Sequence, residues 1–127
     1  MKQEVVVGIV SLNDEILIIQ RKYREGDLLW QFPGGKIEDG ELAEEAVLRE
    51  VLEETNIGCT LVKYLGKRIH PATDTKILYY ACKYTSGEIA VCDNEVADAK
   101  WIKCHDISKY FTTPIFTPII EYLKLLD

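Results

Sequence analysis

The stretch Gly34-Gly35-Lys36-Ile37-Glu38-Asp39-Gly40-Glu41-Leu42-Ala43-Glu44-Glu45-Ala46-Val47-Leu48-Arg49-Glu50-Val51-Leu52-Glu53-Glu54-Thr55-Asn56-Ile57 decides how the rest of the chain is read. From Glu41 to Thr55 it holds helix formers and neither Gly nor Pro, which predicts a helix. Asn56 suits the left-handed position that ends one. On that helix Glu50, Glu53 and Glu54 fall at i, i+3 and i+4 and share a face. They crowd the negative end of the helix dipole, where cations are preferred. Each like-charge pair costs roughly 0.2–0.5 kcal/mol. A divalent cation reverses the sign of those terms, and an oxygen-only ligand set points to Mg²⁺ or Mn²⁺ rather than zinc. The alternative is a plain solvated acidic face, the natural reading for Glu44 and Glu45. Arg49 lies four residues from both Glu45 and Glu53 and is placed to hold one carboxylate while others face a metal.

The segment before the helix, Phe32-Pro33-Gly34-Gly35-Lys36, is apolar, then stiff, then flexible, then cationic. Two glycines allow backbone to approach a ligand closely. Lys36 can meet a phosphate as a point charge. A double glycine alone is more often just a turn, so the weight rests on loop, helix and carboxylates in succession.

Further out, Val5 to Leu12 and Glu15 to Gln20 read as strands joined at Asn13-Asp14. The unbroken run Ile16-Leu17-Ile18-Ile19 predicts a strand covered on both faces. Cys59 to Ile69, Lys76 to Tyr84 and Ala99 to Lys103 read as further strands. Ser86-Gly87 marks a turn before a short Ile89-Ala90-Val91 segment, and Asp106 to Phe111 reads as a helical turn. Thr117-Pro118 reads as an N-cap followed by proline at the first helical position. Its helix carries Ile119, Ile120, Leu123 and Leu126 at helical spacing. Two helices and several strands imply a sheet between helical layers, in a single domain over residues 1–127.

The formal charge of −6 makes the chain a poor partner for duplex nucleic acid or anionic membranes, though not for a small phosphate compound held by a local cation. No apolar run reaches the roughly 18 residues of a membrane helix. The start Met1-Lys2-Gln3-Glu4 does not read as a secretory signal, so a cytoplasmic location is expected. Cys59, Cys82, Cys92 and Cys104 form no CxxC pair and read as structural free thiols.

Gly35-x5-Glu41-x7-Arg49-Glu50-Val51-x-Glu53-Glu54-x-Asn56-Ile57 resembles the signature box of Nudix hydrolases, G-x5-E-x7-R-E-U-x-E-E-x-G-U with U bulky and aliphatic. Only the last glycine departs, replaced by Asn56, which tolerates the left-handed conformation. Outside the box, the strand end Gln20-Arg21, the stretch Trp30 to Glu38 and the closing Thr117-Pro118 helix are similar to MutT-type nucleoside triphosphate pyrophosphatases, more loosely. The resemblance implies an α+β fold, an α/β/α sandwich around a mixed β-sheet with a loop-helix-loop metal site. It implies Mg²⁺, or Mn²⁺ in its place, held by Glu50, Glu53, Glu54 and the Gly34 carbonyl, with Arg49 and Glu41 bracing loop and helix. Glu95, in Asp93-Asn94-Glu95, matches a glutamate that reaches the metal or acts as base. It is otherwise an ordinary loop residue. Glu53, Glu50 and Glu95 are the candidates for taking a proton from the attacking water. Arg21 matches a residue that meets the nucleotide, or else makes a strand-end salt bridge.

The implied activity is cleavage of a nucleotide diphosphate linkage, most simply a nucleoside triphosphate to monophosphate and pyrophosphate, by a monomer or homodimer. ADP-ribose or another nucleoside diphosphate derivative is the second reading. A non-catalytic nucleotide-binding module is the third. Where MutT-type purine readers carry an asparagine before the last helix's proline, this chain has Phe116-Thr117-Pro118. A ring there stacks on a base and does not hydrogen-bond its edge, so strong discrimination of an oxidised purine is not expected. His70 stands in a loop as a surface residue or a substrate contact. Tyr79 and Tyr80 must face opposite sides of their strand.

Overall fold

The computed structural model describes residues 3–22, 28–91 and 93–126. Cys92 and the Met1-Lys2 start lie outside them. The elements are β1 (Glu4–Leu12), β2 (Glu15–Lys22), β3 (Leu28–Gln31), β4 (Gly34–Lys36), α1 (Ala43–Thr55), β5 (Gly58–Ile69), β6 (Lys76–Ser86), β7 (Val96–Lys103), a 3₁₀ helix (Cys104–Lys109) and α2 (Thr117–Leu126).

β1 to β7 form one mixed sheet with the order β3-β2-β1-β6-β5, with β4 on β1 and β7 on β2. β1 and β6 run parallel and the other pairs are antiparallel. Strand periodicity sorts the core into two layers. Val6, Val10, Leu17, Tyr80 and Cys82 face α1 through Val47 and Val51. Ile9, Ile16, Ile18, Tyr79 and Ala81 face α2 through Ile119, Tyr122 and Leu123. The sheet is therefore sandwiched between helices. Ile16 to Ile19 are fully buried and Tyr79 and Tyr80 take opposite faces, both as expected. Cys82 and Cys104 are buried free thiols and Cys59 is a half-buried one. Among the described residues, no helix is long and apolar enough to cross a membrane.

One feature of the sheet positions the site. β1 and β2 are paired only beside their turn, at Ser11↔Ile16 and Leu12↔Glu15, and then part. β4 takes the freed edge of β1 from Val5 to Val7, and β3 takes that of β2 from Ile19 to Lys22. A fork opens between them, with α1 packed beneath.

Some local expectations need correction. The Pro33-Gly34-Gly35 signal is not just a turn: Gly34–Lys36 forms strand β4, pressed so close to β1 that a Cβ on Gly34 would lie 2.2 Å from the Val6 carbonyl oxygen. Thr117 is the first helical residue rather than the cap: the Phe116 carbonyl accepts from the Ile119 and Ile120 N–H groups. Pro118 then sits in the first turn, where its missing N–H costs nothing. The short Ile89-Ala90-Val91 segment lies outside the sheet and is tied to the end of α1, the Ala90 N–H donating to the Thr55 carbonyl. The predicted helical turn is the 3₁₀ helix, beginning two residues earlier.

Candidate active site

The fork forms an open cleft of about 830 Å³. Its walls are Val5 and Val7 of β1, Arg21 of β2, Gln31 and Phe32, the β4 residues Gly34 to Lys36, the α1 carboxylates Glu50, Glu53 and Glu54, and the loop Asp93-Asn94-Glu95. Nearly every site residue expected from sequence meets here. Asp93, Asn94 and Gln31 were not expected.

Local chemistry fixes α1 over this cleft. Its N-terminus is closed by Glu45, whose Oε1 accepts from the Leu42 N–H at 3.0 Å. Its C-terminus ends at Asn56 in the left-handed conformation, φ 66° and ψ 14°, as the departure from glycine allowed. Glu45 is thus a capping residue and not a partner of Arg49. Glu44 is likewise engaged away from the site, accepting from the Tyr80 hydroxyl at 2.9 Å. Gly35 lets β4 lie against the Glu50 carboxylate: a Cβ there would fall 2.4 Å from a carboxylate oxygen and push that side chain aside.

Two arginines organise the carboxylates. Arg49 donates twice to Glu41, from Nε at 2.7 Å and from Nη2 at 2.9 Å. Its Nη1 reaches Glu50 at 2.8 Å and Glu53 at 2.9 Å, and Nη2 also donates to the Lys36 carbonyl at 3.0 Å. One guanidinium so ties β4 to the Glu50 and Glu53 side of α1. Hydrogen bonds from Arg49, and then from the Glu38 N–H, hold the Glu41 carboxyl down at about 2.

Arg21 forms the second centre. Its Nη2 pairs with Glu54 and donates to the Gly34 carbonyl at 3.3 Å, and its Nη1 lies 3.5 Å from Glu95. The other Glu54 oxygen accepts from the Gly34 N–H at 2.8 Å. The Glu54 side chain is only 2% exposed. Burial pushes its carboxyl up to about 7, outweighing the charge and hydrogen bond of Arg21 and the Gly34 N–H. Burial also raises Glu50, against the pull of Arg49. Glu53 is the most open of the three, its side chain 53% exposed. Lys36 is exposed at the cleft wall.

Among the described residues, no three carboxylate, His or Cys side chains already converge as a metal site, because these carboxylates are turned onto arginines. The donor set nonetheless fits a hard divalent cation. It is all oxygen, it lines one cleft, and two of its carboxylates are raised by burial, the state a bound cation would relieve.

A second pocket, about 320 Å³, adjoins the first and shares Val5, Val7, Gln31 and Phe32 with it. Its remaining walls include Arg68, His70, Tyr79, Phe111 and Phe116. Phe116 is here as expected, but one face is already stacked on Tyr79, with centroids 4.7 Å apart. His70 also belongs to this pocket. Arg68 was missed, since nothing in the sequence reveals that β5 and β6 pair so as to bring it to Tyr79.

These features coincide with a family match. The NUDIX domain matches residues 2–123, and the chain belongs to the Nudix family. It is 32% identical over 102 residues to "NAD-capped RNA hydrolase NudC" of Pseudomonas putida (strain W619), covering 80% of this chain and 37% of that protein. It is 33% identical over 101 residues to "Putative 8-oxo-dGTP diphosphatase" of Bacillus subtilis (strain 168), covering 79% of this chain and 65% of that one. The chain thus spans well under half the length of the first of these relatives. Its fold is similar to the crystal structure of a NUDIX hydrolase from Nitrosomonas europaea, with a TM-score of 0.84 and 17% identity over 97% of this chain and 70% of that one. The family generally uses a divalent metal such as Mg²⁺.

Proposed function

We infer that this protein is a divalent-metal-dependent hydrolase of nucleotide phosphoanhydrides in the cytoplasm, most simply one that cuts a nucleoside triphosphate to monophosphate and pyrophosphate. The observation that carries this reading is the adjacency of the two pockets. A carboxylate-lined cleft adjoins an aromatic-walled pocket, with Val5, Val7, Gln31 and Phe32 forming walls of both. Such a shape suits a ligand with a charged phosphate end and a flat apolar end.

Glu50, Glu53 and Glu54, with the Gly34 carbonyl and Glu95, would hold Mg²⁺ or Mn²⁺. The bound ion would neutralise phosphate charge and acidify the attacking water. Glu53, Glu50 or Glu95 would take the proton as water attacks phosphorus in line, and the exposure of Glu53 favours it among the three acids of the helix face. Lys36 and Arg21 meet phosphate oxygens. Arg49 does not touch the reacting atoms. It orients Glu50 and Glu53 and pins the Lys36 carbonyl. Loose transition states at phosphorus need positioning and charge compensation above covalent help, which is what these residues supply.

ADP-ribose and related diphosphates remain the second reading, favoured by the similarity to a protein named for hydrolysis of NAD-capped RNA. One screen separates the two. Nucleoside triphosphates with Mg²⁺ should release phosphate only when inorganic pyrophosphatase is added. ADP-ribose and NAD, followed with alkaline phosphatase, should turn over more slowly. Faster turnover of ADP-ribose or NAD would favour the second reading, and no turnover of any of these compounds with Mg²⁺ or Mn²⁺ would overturn both.

A further inference from the structure

We propose that Arg68 is a specificity-determining residue that selects nucleotides whose base presents paired acceptors, the O6/N7 edge of a 6-oxopurine. This rests on the reading of the second pocket as the base pocket. The pocket is apolar over most of its wall, so its few polar groups decide which base edge is accepted. Arg68 stands at its rim, opposite Ile77 in the β5–β6 register. Its Nε donates to the Tyr79 hydroxyl at 2.9 Å. Tyr79 is in turn stacked on Phe116 and buried. The guanidinium is therefore anchored through one nitrogen, leaving its two terminal nitrogens to address a ligand.

Guanidinium is a donor without acceptor capacity. The next polar neighbour has the same character: His70 Nδ1 accepts from the Ala72 N–H at 3.1 Å, so the neutral ring carries its proton on Nε2. Among the described residues, no carboxylate lines this pocket. At the Arg68–His70 end of the pocket a base edge that brings amino donors, as in adenine or cytosine, meets donors and leaves them unpaired, Gln31 and Thr113 being the other polar side chains of the wall. The adjacent O6 and N7 acceptors of guanine or hypoxanthine match an arginine fork. In 8-oxoguanine N7 carries a proton, which spoils that match and agrees with the stacked Phe116 in giving no advantage to the oxidised base. Because Arg68 is exposed, the expected selectivity is modest, about tenfold.

The experiment measures kcat/KM for GTP, 7-deaza-GTP and ATP with Mg²⁺, and the binding of GMP and AMP by calorimetry, in wild type, Arg68→Met and Tyr79→Phe. Wild type should favour GTP over both ATP and 7-deaza-GTP by about tenfold and GMP over AMP similarly. Arg68→Met should collapse these ratios to near one. Tyr79→Phe, which keeps the ring and removes only the anchor, should reduce them part way. Selectivity that survives Arg68→Met, a wild-type preference for ATP, or no measurable binding of GMP would overturn the proposal. Hydrolysis without Arg68-dependent selectivity would sink this inference and leave the activity standing. Arg68-dependent binding without hydrolysis would support this inference and sink the activity.

Discussion

Arg49 and Arg21 both gather glutamates, yet Glu41 on the first and Glu54 on the second move in opposite directions. On the outer side, Arg49 sits among partly open partners, and Glu41 is pulled down to about 2. On the inner side, Arg21 faces a buried Glu54 that is pushed up to about 7 despite the ion pair. The difference is solvent. Where water still reaches the pair, the hydrogen bonds of the arginine prevail. Where water is excluded, desolvation of the carboxylate outweighs one cation. The Arg49–Glu41 pair is a finished brace, whereas Glu54, and with it the half-buried Glu50, remains short of positive charge. That shortfall is what a divalent ion would supply.

The sharpest way to break this division is by charge removal on α1. Glu53→Gln should lower kcat by roughly 10²–10⁴. Glu44→Gln and Glu45→Gln should leave it nearly unchanged, since those residues serve the Tyr80 hydroxyl and the helix cap. Equal and mild effects from all three would support an ordinary acidic surface. Next in size is the brace. Arg49→Ala should cost about 2 kcal/mol in denaturant unfolding, because it strips several partners at once, and should lower kcat through misplaced Glu50 and Glu53. Turnover at the wild-type level would show that Arg49 is only a surface charge.

The two clusters should also fail in different pH windows when the metal is chelated. The folded-state pKa of Glu41 is depressed, so its contribution is present above the unfolded value near 4.5 and is lost as pH falls toward 2. That of Glu54 is raised, so its contribution is full below about 4.5 and fades as pH rises through about 7. Melting curves of wild type and Glu54→Gln in EDTA check this: only the wild type should lose stability between pH 5 and 7. The same loss in both would show that Glu54 is not its source. The smallest effect expected is at the base. With Phe116 at the position of the MutT-type asparagine, kcat/KM for 8-oxo-dGTP should not exceed that for dGTP by more than about tenfold. A hydrogen-bonded edge would give a factor of roughly 10⁴, and a preference of that size would mean another residue reads the oxidised base.

Much of the fold and most of the first pocket were legible because they rest on local chemistry. The spacing of Glu50, Glu53 and Glu54 is a property of one helix, and Asn56 ends that helix by its own conformational tolerance. Ile16 to Ile19 announced a doubly covered strand through composition alone. What was not legible depends on pairing across the chain. Strand β4 exists only because the β1 edge is free to receive it. Arg49 appeared equidistant from Glu45 and Glu53 in sequence, but Glu45 turned to the Leu42 N–H, and Glu41 took its place from eight residues away. Arg68 and Tyr79 meet across two long strands whose register includes shifts that no spacing rule supplies.

If Glu50 and Glu54 hold a divalent cation, a Mg²⁺ titration of the melting temperature shows it without relying on turnover. Wild type should melt progressively higher as Mg²⁺ is added, approaching about 2.7 kcal/mol of added stability at a hundredfold excess over the dissociation constant. Glu50→Gln/Glu54→Gln should lose most of that response. A wild-type melting temperature indifferent to both Mg²⁺ and Mn²⁺, or an equal rise in the double variant, would contradict the claim.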